Sequence, residues 1–325
     1  MYSRRVLYVI LVIVLWSGGC KGSESPAEGG SASDLQPKVV VFVIDGARYT
    51  ETFGDSAHAW VPRMWQDLRP LGAILTGFRN QGTTSTVPGH TSMMTGTWQV
   101  IANDGTQRPD RPTVFEYFRR TYSLPDSIAH VVSGKNKLNV CAWGTYPGYG
   151  PDYGARASVG FAGDLEVYDA LVSILQNERP RLVLACLPEV DWKGHSGIWD
   201  DYTAAIAVAD SLVYETWQYL QSDPFYSGQT WMFVTNDHGR HDDDNGGFKS
   251  HGDGCEGCRH LMFLALGPTI RPGFTSDGNF TQRDVCNTVG DILQFPVPLS
   301  EGGVIYDIFE TIPTGTRSAP GRNNN

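Results

Sequence analysis

The chain has 325 residues, 41% of them hydrophobic and 18% charged, which is enough apolar material for one large domain or two ordinary ones. Its 25 basic and 35 acidic side chains leave a formal charge of −10, and this excludes nucleic-acid or anionic-membrane binding driven by bulk charge. An acidic surface still allows an anionic substrate, because metal ions bound in a pocket would dominate the field there.

The N-terminus reads as a targeting segment. Arg4 and Arg5 precede an apolar run over residues 6–16, followed by Ser17, Gly18, Gly19 and Cys20. The run is too short for a membrane span and suits the core of an export signal. Small residues before Cys20 resemble a bacterial lipobox, although Ser17 stands where Leu is usual. Residues 1–20 are therefore read as a lipoprotein-type signal, with the mature chain tethered through lipid on Cys20 and facing the periplasm or cell surface. An ordinary cleaved signal or an uncleaved anchor is the alternative. Residues 21–36 are small and polar with no apolar period, as a flexible tether requires. Residues 37–312 show no repeat or boundary and are read as a single domain, and 313–325 as a disordered tail.

Residues 39–44 form a continuous β-branched run that stops at Asp45-Gly46. Such a run predicts a strand buried on both faces, as in a parallel sheet covered by helices. Residues 181–187 and 231–235 repeat the pattern, each shortly before an Asp, and 260–267 is a fourth run. Apolar residues at three- and four-residue spacing predict helices over 113–120, 163–175, 202–220 and 284–293. Strands alternating with helices predict an α/β fold with a doubly wound, mostly parallel sheet. Ligands in such folds gather beyond the carboxyl ends of the strands. Residues 142–159, rich in Gly, Tyr and Pro, are read as a loop over the site.

Four segments at these strand ends carry matching chemistry: Asp45-Gly46, Asp191-x-x-x-His195, Asp237-His238 and His251-Gly-Asp253. Singly, each has an ordinary explanation as a helix cap or a polar turn. Together they offer three carboxylates and three imidazoles, and hard oxygen with imidazole suits zinc or manganese. Two divalent ions would use Asp45, Asp191, His195, Asp237, His238 and His251. Asp191 and His195 are read as converging on one ion from a loop. His58, His130 and His241 lack partners at ligand spacing and are read as surface groups. His90 and His260 are assigned to no metal, and Asp242-Asp243-Asp244 is read as a solvated run.

Residues 83–96 supply hydroxyls in a turn running into a helix, with Pro88 in its first turn and Gly96 near its end. Thr86 at that N-terminus either caps the helix or serves as a nucleophile beside free N–H groups suited to phosphate. Among the cysteines, Cys255 and Cys258 are read as a short disulfide stiffening the loop after His251, with half a zinc ribbon as the minor alternative. Pairing of Cys141, Cys186 and Cys286 is left open.

In this order, the Asp-Gly, Thr-x-Pro-x-His, Asp-x-x-x-His, Asp-His-Gly and final His motifs resemble the alkaline phosphatase superfamily. The likeness is to its nucleotide pyrophosphatase/phosphodiesterase and threonine-nucleophile phosphatase branches, and it runs from about residue 39 to 267. The resemblance implies a zinc-dependent phosphoesterase in which Asp191, His195 and His251 hold one ion. Asp45, Asp237, His238 and Thr86 would hold the second. Thr86 would form a phosphothreonine that water then hydrolyses, with Ser85 and Thr84 as fallback nucleophiles. Asn103 is the nearest match to the family's phosphate-holding Asn. Lys135 and Lys137 resemble in position a Lys-x-Arg segment of threonine-type monoesterases. A small-molecule phosphate ester is the expected partner. Diesterases would instead need an aromatic slot, which Trp143, Tyr146, Tyr149 and Tyr153 could build. Thr86 stands where sulfatases carry the Cys that becomes formylglycine, which argues against sulfatase activity. A phosphodiesterase or phosphonate hydrolase, or a non-catalytic surface lipoprotein that keeps the fold, are the rival expectations.

Overall fold

The computed structural model describes residues 36–310, which fall within one compact unit. The export signal with Cys20, residues 21–35 of the tether and the 313–325 tail lie outside the described residues. In chain order the elements are β1 (Lys38–Ile44), β2 (Ala73–Leu75), β3 (Phe78–Arg79), α1 (Thr86–Thr95), α2 (Val114–Tyr122), β4 (Ala129–Ser133), β5 (Arg156–Val159) and α3 (Asp164–Asn177). There follow β6 (Leu182–Leu187), α4 (Glu189–Ser196), α5 (Trp199–Ser222), β7 (Thr230–Thr235), α6 (Glu256–Arg259), β8 (Phe263–Leu266), β9 (Phe274–Ser276), β10 (Phe280–Thr281) and α7 (Arg283–Ile292). No helix among the described residues is long and apolar enough to cross a membrane.

An eight-stranded sheet in the order β5-β4-β6-β1-β7-β8-β2-β9 forms the middle layer, and β8 alone runs against its neighbours. The alternation in β1 explains its unbroken apolar run. Val39, Val41 and Val43 pack on one face with Met93 of α1, Phe118 of α2 and Val289 of α7. Val40, Phe42 and Ile44 pack on the other with Leu171 of α3 and Ile206 and Val213 of α5. A strand covered on both faces has no polar side, so the doubly wound α/β expectation holds for the reason given. Central β1 pairs in parallel with β6 and β7, setting Ile44 opposite Leu187 and Val43 opposite Thr235. The segments that follow these three strands therefore emerge side by side at one edge.

Several local details differ from the sequence reading. Asp191 and His195 sit on helix α4 rather than in a loop, one turn apart and hence on one face. The 142–159 segment ends in a strand, β5, and is anchored where it loops. Buried Glu116, through its carboxylate, accepts from the backbone N–H groups of Thr113, Gly144 and Gly150 at 2.7, 2.8 and 2.6 Å. The same Glu116 closes a capping box with Thr113 that starts α2. His58 and His130 are buried: His58 packs tilted against Trp65 with ring centroids 3.4 Å apart, and His130 lies within β4. Cys141, Cys186 and Cys286 are buried free thiols.

Candidate active site

The carboxylates gather at the carboxyl edge of β6, β1 and β7. Asp45 follows β1 and is fully buried, with its Oδ2 2.9 Å from Lys135 Nζ and its Oδ1 without a hydrogen-bond partner. Gly46 next to it has φ +72°, a conformation that favours glycine, and its N–H donates to Asp237 Oδ1 at 3.1 Å. Asp237 thus has one oxygen held, while its Oδ2 is orphaned. The Asp237 carbonyl is pinned by Gln282 Nε2 and Asn80 Nδ2 at 2.6 and 3.0 Å. Asn236 completes the frame, donating to the carbonyls of Ala47 and His238 and accepting from Met262 N.

Each of the three predicted imidazoles is oriented in one way. Nδ1 meets a backbone carbonyl: Gly239 for His238 at 2.9 Å, Lys249 for His195 at 3.0 Å and Thr84 for His251 at 3.0 Å. A ring whose Nδ1–H donates to a carbonyl presents the Nε2 lone pair, as metal-binding histidines do. The Nε2 atoms then converge with carboxylate oxygens in two groups. His195 Nε2 lies 3.3 Å from Asp191 Oδ1 and 3.2 Å from His251 Nε2, which is itself 3.5 Å from Asp191 Oδ1. His238 Nε2 lies 3.6 Å from Asp45 Oδ1 and 3.4 Å from Asp237 Oδ2. Bonds of about 2.0–2.1 Å to a tetrahedral ion put donors roughly 3.4 Å apart. The groups adjoin, since the His238 and His251 rings stack at 3.8 Å and both also lie within metal-sharing distance of Asp191.

Buried atoms without partners are costly, and here Asp45 Oδ1, Asp237 Oδ2 and His238 Nε2 face the same point. A divalent cation satisfies all three, so the donor set fits a metal in chemistry and in spacing. The electrostatics agree. Burial, followed by the like charge of Asp237, raises the Asp45 carboxyl above its usual range. Asp237 goes the other way: burial opposes ionisation, but His238, His90 and Lys135 hold it below the carboxylate range. Asp191 is likewise held well below that range against its burial, by His195, Lys135, His238 and Arg240. Burial and then the neighbouring His238 push His251 down to about 3, which keeps it neutral and able to ligate.

Thr86 is the first residue of α1. The cap position belongs to Ser85, and neither residue makes a side-chain capping bond. The Thr86 hydroxyl instead accepts from Lys135 Nζ at 3.5 Å. That ammonium also touches Asp191 Oδ2 at 2.6 Å, so it bridges one carboxylate from each group beside the hydroxyl. Burial works against its charge, yet Asp45, Asp191 and Asp237 raise its pKa above the ordinary value. Asn103 Oδ1 accepts from Val87 N at 2.9 Å and from Lys137 Nζ at 3.3 Å, which brings both predicted residues to the start of α1. The aromatic residues of the 142–159 segment pack on neighbouring rings and arginines. Tyr149 packs on Tyr117 and under Arg120, and Trp143 lies under Arg108.

Two residues at the site were given no role from the sequence: Arg240 carried no signal there, and His90 stood in the Thr-x-Pro-x-His motif unassigned. Arg240 is fully buried and donates through Nη2 to both the carbonyl and Oδ1 of Asp191 at 2.6 Å. It fits only because Gly194 has no side chain, as a Cβ there would lie 2.2 Å from Arg240 Cζ. His90, one turn after Thr86, turns its Nδ1 to the Thr86 carbonyl at 2.9 Å and to Asp237 Oδ2 at 3.3 Å.

A mostly parallel sheet carries two adjoining Asp/His clusters at its central strand ends, with a helix-leading threonine beside them. Solved structures share the fold. Murine ectonucleotide pyrophosphatase/phosphodiesterase 5, an inactive threonine-to-alanine variant in complex with AMP, matches at TM-score 0.62 and 13% identity over 84% of this chain and 98% of that one. A phosphonate monoester hydrolase from Silicibacter pomeroyi matches at 0.61 and 12%, over 87% and 78%. The PsFucS1 sulfatase from Pseudoalteromonas sp. matches at 0.63 and 13%, over 84% and 73%. At such identities the likeness shows the fold alone, a mixed α/β one of alkaline-phosphatase-like type. No protein-family model matches the sequence, and no curated protein sequence does.

Proposed function

We propose that the chain is a two-zinc phosphoesterase that works through a phosphothreonine on Thr86 and favours phosphate monoesters. The observation that carries this reading is the position of Lys135 Nζ, within 3.5 Å of the Thr86 hydroxyl and in contact with a carboxylate of each donor group. Asp191, His195 and His251 would hold one ion, and Asp45, Asp237 and His238, with Thr86, the other. Bound ions would supply charge neutralisation and lower the pKa of the attacking oxygen.

The residues divide the remaining work. Thr86 Oγ1 forms a bond to phosphorus as the bond to the leaving alcohol oxygen breaks. Water then attacks the phosphothreonine, the phosphorus–Oγ1 bond breaks, and phosphate departs with the hydroxyl restored. Lys135 places a buried positive charge where a monoester carries its additional anionic oxygen. Asn103 spends its oxygen on Val87 N and Lys137, which leaves its amide N–H groups for a phosphate oxygen. Lys137 adds a second ammonium nearby. The packing of Tyr149 on α2 favours this over a diesterase slot built from the aromatic loop. In the murine relative the threonine-to-alanine protein is described as inactive, which supports a threonine role here. Export and a lipid tether at Cys20, facing the periplasm or cell surface, belong to the same proposal and rest on residues 1–20.

The test compares p-nitrophenyl phosphate with bis-p-nitrophenyl phosphate at saturating zinc, with Thr86→Ala as control. A monoester preference that falls in Lys135→Ala and Lys137→Ala is the expected result. A diester preference would replace the monoester assignment with a phosphodiesterase. Equal activity in wild type and Thr86→Ala would sink the phosphothreonine mechanism.

A further inference from the structure

A second kind of donor cluster lies behind His251 and uses none of the six residues above. His241 Nδ1 is 2.8 Å from Asp253 Oδ2, 3.6 Å from Cys258 Sγ and 3.8 Å from Cys255 Sγ. All four donor atoms lie within 4.8 Å of one another. Cys255 and Cys258 are free thiols. Both face one imidazole nitrogen, which the expected disulfide would not require, and His241 is thereby no simple surface group.

We propose that His241, Asp253, Cys255 and Cys258 form a third metal site, a closed four-ligand zinc site with a structural role. Two sulfurs, one imidazole nitrogen and one carboxylate oxygen are a donor set that zinc takes in tetrahedral geometry. Bonds of about 2.3 Å to sulfur and 2.0–2.1 Å to nitrogen place those donors roughly 3.6 Å apart, close to the observed separations. The nitrogen–oxygen edge would open from hydrogen-bond length to about 3.4 Å on binding. The backbone is already shaped for it. Cys255 N–H donates to Asp253 Oδ1 at 2.9 Å, which leaves Oδ2 for the ion. The Cys-x-x-Cys turn closes with Cys258 N to Cys255 O at 3.1 Å.

The site sits where it can stiffen the catalytic loop. Gly239 N and Arg240 N donate to the carbonyls of Cys258 and Gly257, and His241 N to that of Ser250. These bonds link the segment just after His238 to the segments on both sides of His251. An ion at this knot fixes the two stacked imidazoles relative to each other and takes no part in the chemistry.

Wild-type holoprotein loaded with cobalt(II) tests the site directly, because only thiolate ligands give sulfur-to-cobalt charge-transfer absorption in the near ultraviolet. The band is expected, and it should weaken in Cys258→Ser and in Cys255→Ser and vanish when both are replaced. A thiol-directed mercurial added to the zinc form should release one zinc per chain, since no other proposed ligand is a thiol. This readout needs no variant to fold and is independent of phosphatase activity. Absence of the band, release of no zinc on thiol titration, or a Cys255–Cys258 disulfide found by mass mapping of protein purified without reductant would each overturn the proposal.

Discussion

Gly89→Ala separates helix propensity from the geometry of the site. Propensity alone favours alanine over glycine inside a helix by about 0.5–1 kcal/mol. In this fold α1 lies directly on Asp237, and a Cβ on Gly89 would be 2.5 Å from the Asp237 carbonyl oxygen and 3.1 Å from its Cβ. The carbonyl has little room to yield, because Gln282 and Asn80 both hold it. Reaching ordinary contact at 3.4 Å requires the helix and Asp237 to part by 0.9 Å, the difference between the two distances. Thr86 sits one turn upstream on the displaced helix, so the shift lands between the proposed nucleophile and the Asp237 carboxylate. A misplacement of about 1 Å costs roughly 10²-fold in rate, or about 2.7 kcal/mol of barrier. Overpacking of about 1–3 kcal/mol should appear as a lower Tm. The assay is kcat on p-nitrophenyl phosphate at saturating zinc, read alongside a thermal melt. A variant with wild-type kcat and a raised Tm would refute the close approach of α1 to Asp237.

Two further perturbations probe groups outside the six ligands. Arg240→Lys withdraws the guanidinium Nη2 that donates to both the carbonyl and the carboxylate of Asp191, and zinc affinity measured by chelator competition should fall about 10–100-fold; unchanged affinity would reduce Arg240 to packing. Buried Asp210 accepts from Arg63 N and Met64 N at 2.8 and 2.7 Å, and burial raises its carboxyl from 3.8 to about 6. A raised acid stabilises the fold fully below the unfolded value and loses that contribution as pH rises through the folded one. The stability advantage of wild type over Asp210→Asn should therefore shrink between pH 4 and 7, by up to about 3 kcal/mol, and a constant or widening gap in urea melts would show that the carboxylate is held ionised.

What the sequence disclosed follows physical range. The buried strands announced themselves because a strand covered on both faces must be apolar through its length, as residues 39–44, 182–187 and 231–234 are. Asp45, Asp237 and His238 were legible because each stands within two or three residues of such a run. Short strands escaped: β4 reads Ala-His-Val-Val-Ser, and its histidine looks like a surface residue until β5 and β6 close over it. The 63–68 turn and β9 gave no periodic pattern of useful length.

The local settings that the sequence did not give have a different reason. Asp191 and His195 at a spacing of four suit a loop or a helix equally, and only Glu189 and Val190 packing behind β6 settle the matter in favour of α4. Arg240 acquires its meaning from Gly194, 46 positions earlier in sequence, whose missing side chain makes the room. His241 needs Asp253, Cys255 and Cys258 folded back by hydrogen bonds between residues 239–241 and residues 250, 257 and 258. In each case a residue's chemistry is written locally and its partner is chosen by the turn of the chain. The same short stretch, His238 through Cys258, thus presents two imidazoles of the candidate site and carries a Cys-x-x-Cys turn. A loop rich in glycine, with Gly246, Gly247, Gly252 and Gly254 all at positive φ, has little rigidity of its own. Such a loop can hold His251 in place only through its far contacts, and the backbone bonds from residues 239–241 to residues 250, 257 and 258 supply them.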